Sequence, residues 1–367
     1  MVSKVVFPEV PEVRGERDCS GLFSLYCIAM KEDYRVEDWI SGEGVTDWVS
    51  VIIPVHNRER LVLDALNSVE RQIYRPIEIV VVNDGSDDES GAVVRRWSQQ
   101  FEADDTFSVR CMQQENAGAP VARNKGARAS KGQYLLFLDS DDLLLPEKIA
   151  EAVDLFRTRT YNIVYSKTKV VTPEGRQEGT IGRALTKEPQ DIAAYCWHTS
   201  GPVYKRSALQ EVGPWLEELT GNQDWEYGAR VKLGDFAIGF IDQIQSVYRK
   251  HTSESVSRPE IERHYTRSSE MAYDSIVALA RDRSKFSPPL ATRMARMYFY
   301  RAMEYLRIGC REDGLRCLAK AETHSGALDI VSLLAAVCKM CPYPSVADVV
   351  LQGIDVRNRL AAKGEDQ

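Results

Sequence analysis

The sequence lacks a long apolar segment, since no stretch of its 367 residues reaches the roughly 18 apolar residues that a membrane-spanning helix needs. Its first residues show no basic segment followed by an apolar run, so no signal peptide is predicted. Positive charge is in deficit, and the formal net charge of −7 argues against a general nucleic-acid binder. These absences favour a cytoplasmic protein and leave peripheral attachment at the inner face of a membrane open.

A disulfide framework is also missing, because the eight cysteines are scattered along the chain. Free thiols in a reducing cytosol are therefore expected. Cys338-x-x-Cys341 has the spacing of half a zinc site, but no second pair follows it.

Three motifs that would identify common enzyme classes are absent. The turn after the first predicted strand reads PVHNRER, and without glycine it cannot be the G-x-G-x-x-G loop of dinucleotide-binding proteins. The chain contains no G-x-x-x-x-G-K-[ST] phosphate loop and no G-x-S-x-G nucleophile elbow. Dinucleotide-binding, P-loop and α/β-hydrolase readings are thereby excluded.

Short, β-branched apolar runs alternate with helical segments from Trp48 onward. Near-continuous apolar runs are typical of strands buried on both faces. Their alternation with helices predicts a mainly parallel α/β sheet, whose ligands bind at the carboxyl ends of the strands. The predicted strands span residues 48–55, 77–82, 107–112 and 134–138, and a helix is predicted at 119–129.

The helix after the first strand is predicted from its apolar spacing, with Asn57 as the capping residue. Its apolar positions are Val62, Ala65, Leu66, Val69 and Ile73. The turn at residues 54–58, which follows the first strand, is predicted to lie at the edge of the sheet.

The chain becomes helical after about Ser257, and residues 294–322 read as two amphipathic helices broken at Gly309. This pair resembles one TPR-like helix-turn-helix unit. We predict an N-terminal extension (1–46), an α/β domain (47–256) and a C-terminal helical region (257–367). The C-terminal helices are candidates for contact with a partner, a membrane face or a second subunit.

Three predicted strands end in polar clusters, at residues 54–58, 83–86 and 139–142. The last cluster, LDSDD, places three carboxylates within four residues directly after a buried strand. Such carboxylates repel one another unless a cation is bound, and Mg²⁺ or Mn²⁺ prefers oxygen ligands of this kind. The alternative is a solvated, Asp-rich turn.

Four segments in this order resemble the GT-A-fold glycosyltransferases of family 2: VSVIIPVHNRERLVLDALNSVERQ, IEIVVVNDGSDDES, QENAGAPVARNKGARASKGQYLLFLDSDD and GNQDWEYGARVKLGD. The resemblance covers about Trp48 to Ser257. It implies a Rossmann-like, mainly parallel sheet flanked by helices, a nucleotide-diphosphate sugar as donor, a divalent cation (Mn²⁺ or Mg²⁺), and inversion at the anomeric carbon.

The resemblance also implies a donor-binding set. In the family, the loop after the first strand cradles the base and ribose, and the acid ending the second strand accepts from the base. For Asp84, an Asx turn with Gly85 is a second, compatible role, and for Arg123 the alternative is a surface salt bridge. The implied donor-binding residues are Pro54, Val55, Asn57, Asp84, Asn116, Arg123, Asp139 and Ser140.

The resemblance makes Asp141 the metal ligand and leaves Asp142 a structural role in the turn. His251, in YRKHTSESVS, matches a histidine that approaches the metal and diphosphate, although a structural histidine is the alternative. Trp197, His198 and Trp215 are candidates for stacking around the donor sugar, and core packing explains them equally well.

The predicted catalytic base is Asp224 in NQDWEYGARV, with Glu226 as the fallback. The family usually has Glu-Asp here, whereas this chain has Gln223-Asp224, so one neighbouring charge is missing. A helix cap is the structural alternative for Asp224, and the two roles are compatible.

The expected activity is metal-dependent, inverting transfer of a sugar, of the hexosyltransferase type, from a UDP-sugar to a hydroxyl of a saccharide or lipid-linked saccharide. Polysaccharide or glycoconjugate biosynthesis is the expected setting, by analogy with the family. Two alternatives stay open: a sugar-nucleotide pyrophosphorylase and a non-catalytic nucleotide-sugar-binding module. A homo-oligomer through the C-terminal helices also stays open.

Overall fold

A computed structural model of the chain describes residues 39–102, 104–186, 188–194, 197–250 and 259–324. All of these residues fall in a single compact unit. No helix within these ranges is long and apolar enough to span a membrane. Most of the predicted N-terminal extension, His251 and the Cys338-x-x-Cys341 pair lie outside the described residues.

The strands of the described residues form one nine-stranded sheet, in the order β3-β2-β1-β4-β8-β6-β9-β5, with β7 beside β6. β3, β2, β1 and β4 run parallel, whereas β8 is antiparallel to β4 and β6. The strands are β1 (Val45–Val55), β2 (Ile77–Asp84), β3 (Phe107–Gln114), β4 (Gly132–Phe137), β5 (Leu143–Leu144), β6 (Ile163–Val171), β7 (Gln177–Ile181), β8 (Pro202–Lys205) and β9 (Ile238–Arg249).

Helices flank the sheet, and three further helices follow its last strand. They are α1 (Val62–Glu70), α2 (Ser90–Ser98), α3 (Ala119–Ala129), α4 (Lys148–Thr158), α5 (Arg206–Val212), α6 (Gln223–Leu233), α7 (Pro259–Asp282), α8 (Pro288–Arg307) and α9 (Arg311–His324). The predicted α/β class and the C-terminal helices are confirmed.

The apolar run of β1 is buried on both faces, as its composition predicted. Successive side chains of a strand point to opposite faces. Val51 and Ile53 therefore join the core that α1 and α4 cover, whereas Ile52 joins a second core with α3, α5 and α6. Because helices cover both faces of β1, the carboxyl end of this strand is the part that can contribute to a site.

The predicted strands and the helix at 119–129 are confirmed, with strand ends shifted by a few residues. The predicted cap of α1 is wrong, because Leu61 occupies that position without a side-chain hydrogen bond. Asn57 instead joins the loop after β2, accepting from the Asp87 N–H at 2.9 Å and donating its own N–H to Ser86 Oγ at 3.1 Å. Ile73 lies beyond the end of α1 and is 67% exposed.

The C-terminal helices α7 and α9 are joined by a buried ionic network. The Glu270 carboxylate, 3% exposed, accepts from Arg316 and Lys320 of α9. Burial would raise the pKa of Glu270, but these two cations lower it to about 2. The predicted break between the last two helices is confirmed at Gly309, which has φ +81°. Its identity as a TPR-like unit stays a prediction.

Candidate active site

The polar clusters that end β1 and β2 meet at the carboxyl edge of the sheet. His56 Nδ1 lies 2.8 Å from the Asp84 carbonyl oxygen, and His56 Nε2 lies 3.3 Å from Asn116 Nδ2. Pro54 and Val55, which end β1, are buried. Parallel strands expose their carboxyl ends on one edge, so the predicted convergence of these two loops is observed.

Asp84 anchors the loop before α3. Its Oδ1 accepts from the Ala117 N–H and from Gln114 Nε2, and its Oδ2 accepts from the Gly118 N–H, each at 2.8 Å. In the loop after β2, the Asn83 side chain bonds the main chain, because its Oδ1 accepts from the Ser86 N–H at 3.1 Å. The role of Asp84 toward a base stays a prediction, and its carboxylate already has three donors.

Two of the three acids that follow β4 are paired with cations from distant segments. Arg123 of α3 donates to Asp139 Oδ1 at 2.6 Å, and Arg58 donates to Asp141 Oδ2 at 3.0 Å. Burial would raise the pKa of Asp139, but the charges of Arg123 and His198 outweigh it and hold that pKa below its usual range. The negative charges of Asp139 and Asp141 in LDSDD are therefore offset by arginine side chains of the protein itself.

Asp142 is the acid whose charge is poorly compensated. It is 1% exposed, and burial together with the charges of Asp139 and Asp141 raises its pKa well above the usual value. Its Oδ1 accepts from the Arg249 N–H at 3.1 Å, whereas its buried Oδ2 makes no hydrogen bond. The Oδ2 atom lies 3.4 Å from Nδ1 of the buried His198. An unsatisfied buried carboxylate oxygen is costly unless a further positive charge is present.

Asp139, Asp142 and His198 form a cluster that could hold a divalent cation. One ligand atom from each lies within 4.8 Å of the others. His198 is oriented by stacking on Tyr248, with ring centroids 4.5 Å apart. Two carboxylates and an imidazole are a common donor set for Mn²⁺, and the unsatisfied Asp142 Oδ2 fits such a role. The described residues thus group Asp139, Asp142 and His198, while Asp141 as a metal ligand stays a prediction.

Arg123 connects the acidic cluster to α6. Besides Asp139, its guanidinium donates to Gln223 Oε1 at 2.9 Å and lies over the Trp215 ring at 4.6 Å. Gln223 in turn donates to the Leu219 carbonyl at 2.8 Å, which a glutamate could not do. The departure from the family's Glu-Asp pair therefore gives this position both a donor and an acceptor.

Asp224 lies in the first turn of α6, next to Gln223. Its Oδ1 accepts from the Trp225 N–H at 2.8 Å, and its side chain is half-buried. Burial raises the pKa of Tyr248, and the charges of Asp142, Asp141 and Asp224 raise it further. The connection that the structure shows between this turn and the acidic cluster is made by the neighbouring Gln223, through Arg123 and Asp139.

Glu226 is poorly placed for proton transfer. It is 1% exposed, and its carboxylate binds Arg230 through two hydrogen bonds of 2.7 and 3.1 Å and accepts from Ser275. These contacts give Glu226 a structural role, and Asp224 as the base stays a prediction.

Glu226→Gln is expected to lower the free energy of unfolding by about 2 kcal/mol, because hydrogen bonds to charged groups contribute about that much. Chemical denaturation measures this loss. Sugar transfer by the folded variant should stay within about threefold of wild type. A stable Glu226→Gln protein without turnover would contradict the structural role of Glu226.

Core packing is the role that the structure gives to two of the predicted stacking residues. Trp215 is 3% exposed and stacks on Tyr227 at 4.1 Å, and Trp197 is equally buried against Tyr165. His198, by contrast, belongs to the acidic cluster. The pairing of Asp142 with His198 was not predicted from the sequence. The signal in the sequence for an additional metal ligand was the third aspartate of LDSDD, which is Asp142.

The described sheet, with an acidic cluster at its carboxyl edge, has the GT-A-type fold of two solved structures. The chain resembles S. aureus TarS 1–349 in complex with UDP-GlcNAc with a TM-score of 0.54 and 20% identity, covering 76% of this chain and 88% of that one. It resembles a mannosyltransferase from Pyrobaculum calidifontis, in complex with GDP-Man and Mn²⁺, with a TM-score of 0.50 and 18% identity over 91% of this chain and 92% of that one.

Residues 50–213 match the model of glycosyl transferase family 2. A glycosyltransferase of Nostoc sp. is 35% identical over 178 residues, which are 45% of this chain and 53% of that protein. Glycosyltransferase GlyA of Streptococcus pneumoniae is 43% identical over 98 residues, covering 27% of this chain and 13% of that protein. The chain spans about half or less of the length of these two relatives.

Proposed function

We propose that this chain is an inverting glycosyltransferase, which moves a sugar from a nucleotide-diphosphate donor to an acceptor hydroxyl. One observation carries the proposal: Arg123 connects Asp139 of the acidic cluster to Gln223, the residue beside Asp224. The residue beside a candidate base is therefore connected to a candidate diphosphate site at one edge of the sheet.

In the proposed reaction, Asp224 removes the proton from the acceptor hydroxyl. The acceptor oxygen then forms a bond to the anomeric carbon from the face opposite the diphosphate. The bond from that carbon to the diphosphate oxygen breaks, and its electron pair leaves with the nucleoside diphosphate. A single displacement of this kind inverts the anomeric configuration.

Asp139, Asp142 and His198 are the residues that we propose hold a divalent cation. When bound, such a cation supplies Lewis-acid neutralisation of the charge on the leaving diphosphate. The chain's own contribution is to fix these ligands: Arg123 and Thr199 hold Asp139, the Arg249 N–H holds Asp142, and Tyr248 stacks on His198. Asp141, paired with Arg58, stays the ligand predicted from the sequence.

We propose a UDP-sugar as donor and a saccharide or lipid-linked saccharide as acceptor. TarS and the mannosyltransferase from Pyrobaculum calidifontis, which share the fold, are complexed with UDP-GlcNAc and GDP-Man. The pyrophosphorylase alternative finds no support here, since the turn between β1 and α1 contains no glycine.

The proposed function is tested by incubating the protein with Mn²⁺ and a panel of UDP- and GDP-sugars, with and without saccharide acceptors. Slow donor hydrolysis alone, and faster release of nucleoside diphosphate with an acceptor, are expected. The anomeric configuration of the product, read by NMR, should be opposite to that of the donor. Donor binding without hydrolysis or transfer would instead indicate a binding module.

Asp142→Asn is expected to weaken donor binding in the presence of Mn²⁺ at least about tenfold, and the difference should vanish after chelation. The same change removes a buried, poorly compensated charge, so thermal stability should be kept or raised. Calorimetric titration and thermal denaturation measure the two effects. Asp154→Asn, at an exposed position of α4, is the matched control. Equal donor affinity of wild type and Asp142→Asn would contradict the metal site.

A further inference from the structure

Helix α7 makes an unusually close approach to the segment that leads into α6. A Cβ atom built on Gly221 would lie 2.5 Å from Cδ2 of Tyr265, closer than real Cβ atoms approach. Only glycine lets the Tyr265 ring pack directly on this backbone. The contact is therefore specific to the sequences of both segments.

Ser268 of α7 binds this segment with its full hydrogen-bonding capacity. Its Oγ accepts from the Thr220 N–H at 3.0 Å and from the Gly221 N–H at 2.9 Å, and donates to the Gly221 carbonyl at 2.7 Å. A hydroxyl has one donor and two acceptor sites. All three hydrogen-bonding sites of the Ser268 hydroxyl are therefore used to hold the backbone of Thr220 and Gly221, just before α6.

Asn222, the residue before α6, is held by the same helix. Its backbone has φ +56°, a left-handed conformation that costs a non-glycine residue free energy unless its surroundings fix it. Asn222 Nδ2 donates to Ser269 Oγ at 2.7 Å, and Asn222 Oδ1 accepts from the Tyr265 hydroxyl at 3.3 Å. These bonds supply the constraint, and the first turn of α6 starts from it, since the Asn222 carbonyl accepts from the Glu226 N–H.

Contacts between the two helices continue along α6. Trp225 packs edge-on against Tyr273, with centroids 5.0 Å apart, and Ser275 donates to Glu226. Asp224 thus stands between a backbone segment bound by Ser268 and a turn packed on α7. Both Asp224 and α7 lie beyond residues 50–213, which match the family 2 model.

We propose that α7 is a positioning element for Asp224, and that Ser268 and Asn222 are positioning residues for sugar transfer. The proposal rests on the proposed function, in which Asp224 is the base. In this proposal, α7 supports catalysis by holding the segment that carries Asp224. Neither residue needs to contact the donor, so their effect falls on turnover and not on donor binding.

The test compares kcat for transfer with the Kd for the donor in Ser268→Ala and Asn222→Gly. Asn222→Gly keeps a residue suited to positive φ while removing both side-chain bonds to α7. Each variant is expected to lose about tenfold to a hundredfold in kcat, because small misplacements of a catalytic group have effects of this size. The donor Kd should stay within about twofold.

Thr266→Val is the matched control on α7, because the Thr266 hydroxyl donates to Glu262 within its own helix. Its kcat should equal that of wild type. A loss in Thr266→Val as large as that in Ser268→Ala would show a general effect of helix stability and would overturn the proposal.

A double-variant comparison gives a readout that a merely structural role would not produce. If Ser268 acts through Asp224, then Asp224→Asn/Ser268→Ala should be no slower than Asp224→Asn alone. Additive losses would overturn the proposal, as would wild-type kcat in both Ser268→Ala and Asn222→Gly. If Ser268→Ala does not fold, Asn222→Gly, which keeps every α7 side chain, decides alone. A wild-type protein that never transfers sugar would refute the proposed function itself.

Discussion

Asp224→Asn is expected to lower kcat for sugar transfer about a thousandfold, while the donor Kd stays within about twofold. General-base catalysis typically contributes 10²- to 10⁴-fold, and asparagine cannot take up the acceptor proton. The amide still has an oxygen that can accept from the Trp225 N–H, as Asp224 Oδ1 does. The start of α6 should therefore keep its structure, and the loss should be confined to the chemical step.

Initial rates at saturating donor and calorimetric titration of the donor measure the two quantities for Asp224→Asn. Asp242→Asn is the matched control, since Asp242 is an exposed acid of β9 whose side chain is 74% accessible. Turnover of Asp224→Asn within tenfold of wild type would refute the base assignment. An equal loss in Asp242→Asn would point to a nonspecific effect of charge.

Arg123→Gln is expected to lower the free energy of unfolding by about 3–5 kcal/mol, the range found when one partner of a buried ion pair is removed. Arg123 is 5% exposed and bridges Asp139, Gln223 and the Trp215 ring. Glutamine is too short to replace these contacts together. Arg128→Gln, on the exposed side of the same helix, should change stability by less than about 0.5 kcal/mol.

The effect of Arg123→Gln should depend on pH in a defined direction. Arg123 holds the pKa of Asp139 below 3.8 in the folded protein. A depressed pKa stabilises the fold above the unfolded value and loses that contribution as the pH falls through the folded value. The difference between wild type and Arg123→Gln should be largest near neutral pH and shrink below about pH 4. Denaturation curves across this range measure it, and a difference that grew in acid would contradict the pairing.

Much of the fold could be predicted from the sequence because local patterns dictate it. The run at β1 is apolar at both alternating sets of positions, and burial on both faces follows directly. The helix at 119–129 and the break at Gly309 were equally local signals. The antiparallel strands β7 and β8 were missed because they are only five and four residues long. The partners of β8, which are β4 and β6, also lie far away in the chain.

The site was predictable as a set of loops but not as a set of contacts. Asp139 and Asp224 were identified from their motifs, whereas their connection through Arg123 and Gln223 spans 100 residues and follows only from packing. The sequence predicted a structural role for Asp142 in the turn and did not predict its proximity to His198. The burial of a carboxylate depends on which distant loop covers it, and a local motif does not contain that information. The α7 contacts to residues 220–222 were invisible for the same reason.

The bonds that Asp84 makes have a consequence for variation in the loop before α3. Two of its three donors, the N–H groups of Ala117 and Gly118, belong to the main chain. Every amino acid except proline offers such a group. The exposed side chain at position 117 can therefore be exchanged without loosening the loop, whereas Gly118, at φ +94°, cannot. The shape of this loop is therefore held by Asp84 at the end of β2 and not by the side chain at position 117. Substitutions at position 117 can then change which ligands bind at the carboxyl edge of the sheet.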